Sequence, residues 1–526
     1  MKYLKYIFGI LLVVVPCALT VLIYNDKITQ NSPLYYKQGV QFYNDGDYSN
    51  AYYNFGKIKW ISPLYPMALY KQAKSAQKVG DYQTAALKYK LFLEKLPNSV
   101  FDLKAKLNLG KSYFYSKQYP EAKVQFEEIH QKTDNWGTEE VYYLGLIEKN
   151  ENKTKAYEYF KKYLESALSG NALNKQYILS AAEELSYLGI DLSNEDKLLI
   201  GSAYYKNKKY KKALEYFSKL PVSSCWDFFV LSNHYAGNKV IAKKLIENGL
   251  PLYAGISKDE NLHEIYDIYA SYLVGSKLKN WTQIHKMVKE KSLKGEDYVI
   301  YKLAGISTPE KATVLYNNIV QEFPQSDYAA ESLWNVFWDK YKKKDYKNAE
   351  LLAIQHLKTY KKVKSTPKMA FWLAKTEIKQ NKLSEAHNYL SKLASKYPDN
   401  YYGLRAENLL SKKNDFWTTS TLNKIPEQKE DIEFPISISQ LDIKDIKLIN
   451  TIFEMGDYEI WIDADFSNPI VESWFAQKRD KKAKSIVLAR DEIEKMEIKP
   501  PFISAAYKLA YPRYWVEEIN IAGEKL

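Results

Sequence analysis

The sequence predicts an all-α protein: an α-solenoid superhelix of stacked helix pairs, with an N-terminal transmembrane helix and a small helical linker domain at the C-terminus. Three observations carry this. A Gly-Asp-Tyr tripeptide recurs 34 residues apart, as Gly46-Asp47-Tyr48 and Gly80-Asp81-Tyr82. A small residue and then a large one follow the tyrosine at fixed offsets in many further places. An uncharged run, Tyr6 to Tyr24, opens the chain behind Lys2 and Lys5.

That opening run is 19 residues long, close to the roughly 20 needed to span a bilayer, and charge returns at Asp26 and Lys27. It exceeds the roughly 7–15-residue core of a cleaved signal and lacks a small-x-small cleavage site. Pro16 directly before Cys17 argues against a lipoprotein site. Residues 1–28 therefore read as a signal anchor in the cytoplasmic membrane. Lysines ahead of the span place the N-terminus in the cytoplasm and the body in the periplasm or its extracytoplasmic equivalent. A cleaved signal peptide is the competing reading, and it exports the body equally.

The repeats occupy 32–220. Ala51 and Ala85 follow their tyrosines by three residues, and Phe55 and Tyr89 lie four further on. The frame returns at Tyr119/Ala122/Phe126 and Tyr210/Ala213/Phe217, with weaker copies at Ala156/Phe160, Ala312/Tyr316, Tyr346/Ala349 and Leu383/Ala386/Leu390. Pro63, Pro97, Pro324 and Pro398 each stand twelve residues after the alanine. Glycine tolerates positive φ in the turn between the two helices of a pair, and aspartate caps the second. The alanine lets the helices approach, the large residue sits one turn along the same face, and proline ends the second helix. The period is that of a tetratricopeptide (TPR) repeat. Residues 221–305 keep helical spacing but lose the frame, as in Ile241-Ala242-Lys243-Lys244-Leu245-Ile246, and read as degenerate helix pairs. The frame resumes over 306–411.

Past 411 the pattern changes. Residues 412–440 contain Pro426, Pro435 and an extended-looking Phe434–Ile438, and read as a linker. Residues 441–526 form the small helical domain: Ile443 to Phe453 is helical, Gly456-Asp457 turns the chain, and short helices follow near 468–479, 482–492 and 501–510. The sequence stops at Leu526, part-way into what reads as another helix.

Composition limits the function. The formal net charge is +13, from 76 basic and 63 acidic residues, yet all but four of the basic residues are lysine. The arginines are Arg405, Arg479, Arg490 and Arg513, so the first 404 residues lack the planar fork that reads bases and phosphates. No nucleic-acid partner is expected. The lysines read as a solvated face, with attraction to an anionic lipid or cell-wall surface as the alternative.

No catalytic residue, metal ligand or cofactor is assigned. Cys17 and Cys225 cannot form a metal quartet, and His130, His234, His263, His285, His356 and His387 show no paired-ligand spacing. There is no nucleophile elbow, P-loop or dinucleotide fingerprint. Glu165-Ser166, Glu331-Ser332 and Glu472-Ser473 lie on amphipathic helices without a neighbouring glycine-rich turn.

Two passages carry a family resemblance. Lys368-Met369-Ala370-Phe371-Trp372-Leu373-Ala374-Lys375, followed by Ala386 and Tyr401-Tyr402-Gly403-Leu404-Arg405-Ala406-Glu407, resembles the last superhelical turns of the soluble lytic murein transglycosylases. Leu509-Ala510-Tyr511-Pro512-Arg513-Tyr514-Trp515 resembles the segment that precedes their lysozyme-like catalytic domain. The resemblance implies a superhelix acting on peptidoglycan, where a glutamate of a Glu-Ser pair cleaves muramic acid–glucosamine links to 1,6-anhydro products. Here no Glu-Ser pair follows Tyr511, so no catalytic residue carries over. The chain reads either as an enzyme cut short or as a natural non-catalytic relative. The expected partners are peptidoglycan glycan strands or envelope proteins, with a membrane-anchored TPR scaffold for protein–protein interaction as the alternative function.

Overall fold

The computed structural model describes residues 30–169 apart from 134 and 136, 177–411 apart from 362, 364, 398 and 399, 446–460, 470, 473, 474, 476, 482–495, 509 and 510. Among these residues every regular element is a helix, and the architecture is an all-helical, TPR-like solenoid. The expected anchor at 1–28, the linker at 412–440, Pro398, Glu472 and Tyr511–Trp515 lie outside the described residues. Among those described, no helix is long and apolar enough to cross a membrane.

The chain divides into two compact units. The first comprises residues 1–191 and 436–475, and the second 192–435 and 476–526.

In the first unit, helices alternate between an A and a B position. The pairs are α1 (30–44) with α2 (Tyr48–Gly56), α3 (Tyr65–Lys78) with α4 (Tyr82–Lys95), α5 (Asp102–Tyr115) with α6 (Tyr119–Thr133), and α7 (Glu139–Glu151) with α8 (Lys153–Ser169). A further A helix, α9 (Ile178–Tyr187), packs on α8. Gly46 and Gly80 both adopt φ of +84°, which L side chains rarely do, and so turn A into B. Asp47 and Asp81 then cap the B helices, accepting from the backbone N–H of Asn50 at 3.1 Å and of Thr84 at 3.0 Å. After 436 the chain contributes α23 (Ile446–Glu454), whose Ile449 and Ile452 are buried, as are Ile460 and Trp474.

In the second unit the pairs are α10 (Asn194–Lys206) with α11 (Tyr210–Phe217), α12 (Val222–Tyr235) with α13 (Lys239–Tyr253), α14 (Asp259–Tyr272) with α15 (Lys277–Glu290), and α16 (Glu296–Ala304) with α17 (Pro309–Glu322). They continue as α18 (Ala329–Lys342) with α19 (Tyr346–Thr359) and α20 (Ser365–Lys379) with α21 (Leu383–Lys396). The A helix α22 (Tyr401–Ser411) then packs on α21. The stretch that loses the sequence frame is thus paired helices. The apolar residues of α12–α17 still meet in one buried cluster around Ile265, Tyr266, Ile284 and Val299.

The frame works by size complementarity between A and B. Phe55, Phe126, Phe160 and Phe217 press their rings onto Gly39, Gly110, Gly145 and Gly201, where an added Cβ would meet the ring at 2.5–2.7 Å. Elsewhere the pair changes size without changing total bulk much. Ala374 faces Leu390 within one core, and the order inverts where Phe337 packs beside Ala353. The copy expected at Ala312/Tyr316 differs: in α17 the fully inward residues are Leu315 and Ile319, and Ala312 and Tyr316 are only partly buried. Leu315 and Ile319 instead join the buried cluster that holds Val299, Ile300 and Leu303 of the 9-residue α16.

Candidate functional site

The side chains that could do chemistry or hold a ligand gather on the A helices. The reason lies in the frame. B helices spend their inward positions on the alanine and ring residues, whereas an A helix touches its own B helix on one side and the next A helix on another. The residue directly after the small A position then falls where consecutive A helices meet. It is lysine in three pairs: Lys74 after Ala73, Lys111 after Gly110, and Lys375 after Ala374.

In the first unit these lysines are matched to acids. Lys111 donates to Glu139 on α7 at 2.6 Å, and the Tyr177 hydroxyl donates to the same carboxylate oxygen at 2.7 Å. Tyr143 lies beside them, 2.9 Å from Tyr115 and 3.3 Å from Tyr177 between hydroxyl oxygens. Burial, then those two hydrogen bonds, push its phenol far above the usual range, so it stays neutral. Tyr177 stacks on Tyr142 with 4.5 Å between ring centres.

On α1 and α3 the acids come from far along the chain. Lys71 donates to one Asp457 oxygen at 2.6 Å, and the Tyr36 hydroxyl donates to the other at 3.1 Å. Lys74 lies 3.5 Å from Glu459. Both ammonium groups also lie over the Tyr43 ring, at 5.6 and 5.9 Å. The intervening Tyr458 packs edge-on against Trp474, which stacks with Phe453. A short turn bearing two carboxylates and an aromatic ring is therefore held against the A helices by two lysines and a tyrosine. The sequence places a turn at Gly456-Asp457; the structure adds that the Asp457 side chain is spent on this contact.

The second unit shows the same matching from α12 to α16. Asn261 donates to Asp227 at 2.7 Å, and Tyr235 donates to Glu264. Asp267 receives Tyr298 and Lys302, both at 2.8 Å. On α18, Glu331 pairs with Lys368 of α20 at 3.1 Å, which accounts for one of the Glu-Ser pairs. Another, Glu165, is exposed on α8. Lys368 sits 4.2 Å above the Trp334 ring. From there an aromatic stripe follows α18: Trp334 stacks with Trp338 and Trp338 with Tyr341, while Trp372 of α20 meets the last two edge-on.

At the end of that stripe the matching stops. The Arg405 guanidinium of α22 lies 5.9 Å over Phe371 and 6.0 Å over Tyr401. Lys375 is one turn beyond Phe371 on α20. Neither cation has a carboxylate partner among the described residues. The passages 368–375 and 401–407 that carry the transglycosylase resemblance are this face.

Other reactive groups have quiet settings. Burial and then Asp227 push the Cys225 thiol up to about 11, leaving it unreactive. His356 is fully buried with Nε2 2.9 Å from the Ser365 hydroxyl, and burial followed by the Lys368 charge brings it down to about 4. Among the described residues, no three His, Cys, Asp or Glu side chains converge as a metal site would require. The cis acidic turn and the Lys375–Arg405 pair both escape sequence reading. The available signals were a lysine beside Tyr70 within an apolar helix face, and the first arginine of the chain.

Residues 67–99, spanning α3 and α4, match the tetratricopeptide repeat family. No curated protein matches the sequence. Among solved structures, the chain is similar to the C-terminal part of a TPR repeat-containing protein from Cytophaga hutchinsonii (15% identity over 57% of this chain and 99% of that one, TM-score 0.23). It is also similar to the P58(IPK) TPR domain (13%, 72% and 98%, TM-score 0.24) and to yeast Tom70 (12%, 95% and 96%, TM-score 0.27).

Proposed function

We propose that this chain is a TPR-like scaffold whose A-helix faces hold peptide segments of partner proteins in the cell envelope, with residues 1–28 as its membrane anchor and its body outside the cytoplasm. One observation carries the reading. The face of α1 and α3 already holds a non-helical turn of polypeptide, Asp457-Tyr458-Glu459, through Lys71, Lys74 and Tyr36. Stacked helix pairs expose long surfaces of this kind, and short segments bind them through a few side-chain anchors. The anchoring and the exported side rest on Lys2, Lys5 and the Tyr6–Tyr24 run.

The competing glycan reading is separated by one pair of measurements on the full chain in detergent. Peptide arrays and purified peptidoglycan sacculi are offered at raised salt, which screens non-specific lysine attraction. The scaffold reading expects retained peptides, weakened when Trp338 or Trp372 becomes alanine, and no retention by sacculi. Retention by sacculi with no peptide bound would replace it with the peptidoglycan reading.

A further inference from the structure

The A-helix lysines of this chain offer an internal comparison. Lys74, Lys111 and Lys375 occupy the same place in their repeats, each directly after the small residue that faces the B helix. Lys74 meets Glu459 of the cis turn, and Lys111 meets Glu139 of the next A helix. Lys375 meets no acid among the described residues, and it stands four residues before Lys379 and one turn from Phe371, the ring under Arg405. Burial, then Lys379 and Arg405, lower its proton affinity. A half-buried lysine beside an arginine is an unfavourable arrangement unless an anion completes it.

We infer that Lys375 and Arg405 form a recognition site for a carboxylate-bearing peptide turn, an acidic residue next to an aromatic one, supplied by a partner protein. The inference deepens the scaffold reading and rests on it. Arg405 supplies a planar fork suited to bidentate contact with a carboxylate. Lys375 adds a point charge one turn from Phe371. The rings of Phe371 and Tyr401 flank Arg405, as Tyr43 and Tyr70 flank Lys74. The chain therefore displays in cis, at its other unit, the ligand chemistry that this face lacks: Asp457-Tyr458-Glu459. A phosphate or sulfate group would satisfy the charge, but the aromatic surround favours a ligand that adds a flat side chain beside its acid.

The probe is a fluorescein-labelled peptide with the sequence of residues 453–462, read by anisotropy against the full chain in detergent. A second, neutral peptide carries Gln at 454 and 459 and Asn at 457, the three acidic places. The acidic peptide is expected to bind at least tenfold more tightly than the neutral one. Lys375→Met and Arg405→Met should each weaken it by tenfold or more, whereas Lys239→Met on α13 should leave it unchanged. Far-UV circular dichroism and melting of Lys375→Met check the fold, which should hold because the change removes an unpaired cation. Equal binding of both peptides would sink the carboxylate site while leaving the scaffold reading intact. Binding of neither peptide would count against both readings. A loss with Lys239→Met equal to that with Lys375→Met would reduce the effect to general lysine attraction and overturn the proposal.

Discussion

The Lys71 ammonium and the Asp457 carboxylate meet at 2.6 Å across 386 residues of sequence, with only 2% and 3% of their side chains exposed. A pair so well enclosed is weak evidence of added stability, but breaking one half leaves a buried charge alone, at about 3–5 kcal/mol. Asp457→Ala should therefore release the turn, and hydrogen exchange should lose protection in residues 446–460 and in the facing parts of α1 and α3. Replacing both partners, Lys71→Met with Asp457→Leu, should restore most of that protection because no charge is stranded. Unchanged exchange in Asp457→Ala would show that the turn is held by its aromatic contacts instead.

Gly110 and Phe126 illustrate how little room the A–B contact leaves. A Cβ on Gly110 would lie 2.6 Å from the ring, so Gly110→Ala forces the ring or the helix to move. Overpacking of this kind costs about 1–3 kcal/mol. The α20–α21 pair shows the alternative solution, Ala374 with Leu390. Gly110→Ala combined with Phe126→Leu should accordingly be destabilised by less than the sum of the two single changes. Urea denaturation of the four proteins gives the coupling directly, and simple additivity would refute a shared steric cause.

Asp47, Asp81 and Asp457 stand in the same Gly-Asp-Tyr tripeptide and have different fates. The first two cap α2 and α4 with no charge partner among the described residues, and their replacement by alanine should each cost about 0.5–2 kcal/mol. Asp47 is held below its usual carboxylate range by hydrogen bonds from the Asn50 side chain and backbone, so its cap weakens as pH falls through the acid range. The Asp457 change should instead act on the 446–460 turn and the facing parts of α1 and α3, while α2 and α4 keep their protection. Hydrogen exchange at α2, α4 and α23 in the three variants distinguishes cap from contact.

The repeats were legible because their constraint is local: glycine, aspartate, alanine and a ring at fixed spacing answer to one helix pair. The slip in α17 was not, because Ala312/Tyr316 fits the spacing while Leu315 and Ile319 are the residues that enter the core with Val299 and Leu303. Pairings between A helices were hidden for a different reason. Lys111 with Glu139, or Lys71 with Asp457, depends on which faces meet after stacking, and lysines on a helix surface look alike until then. Gly456-Asp457-Tyr458 was read as a turn, and its backbone does turn, with Gly456 at φ +89°. What spacing could not convey is that its carboxylate points at a lysine from the other end of the unit.

Glu377 should give the second unit a pH dependence of its own. Its side chain is 2% exposed on α20, and Oε2 has no hydrogen-bond partner among the described residues. Burial, then the charges of Glu350 and Glu385, raise its carboxyl to about 7, with Lys382 opposing. Tyr389 is the remaining titratable neighbour on the facing α21. Because the folded pKa lies above the unfolded one, the unfolded chain loses its proton first. Stability from this group is intact below about pH 4.5, falls as pH rises towards 7, and levels off above. His356 runs the other way: its folded value of about 4 lies below the ordinary 6.5 of a free imidazole, so its contribution falls as pH drops from 6.5 to 4. The two slopes overlap and partly cancel in the parent protein. The difference between parent and Glu377→Gln isolates the carboxyl. The variant should melt higher at pH 8 and no differently at pH 4, with the gap opening between 5 and 7 in calorimetric scans. A gap that is constant with pH would mean that Glu377 takes up its proton over the same pH range in the folded and unfolded chain.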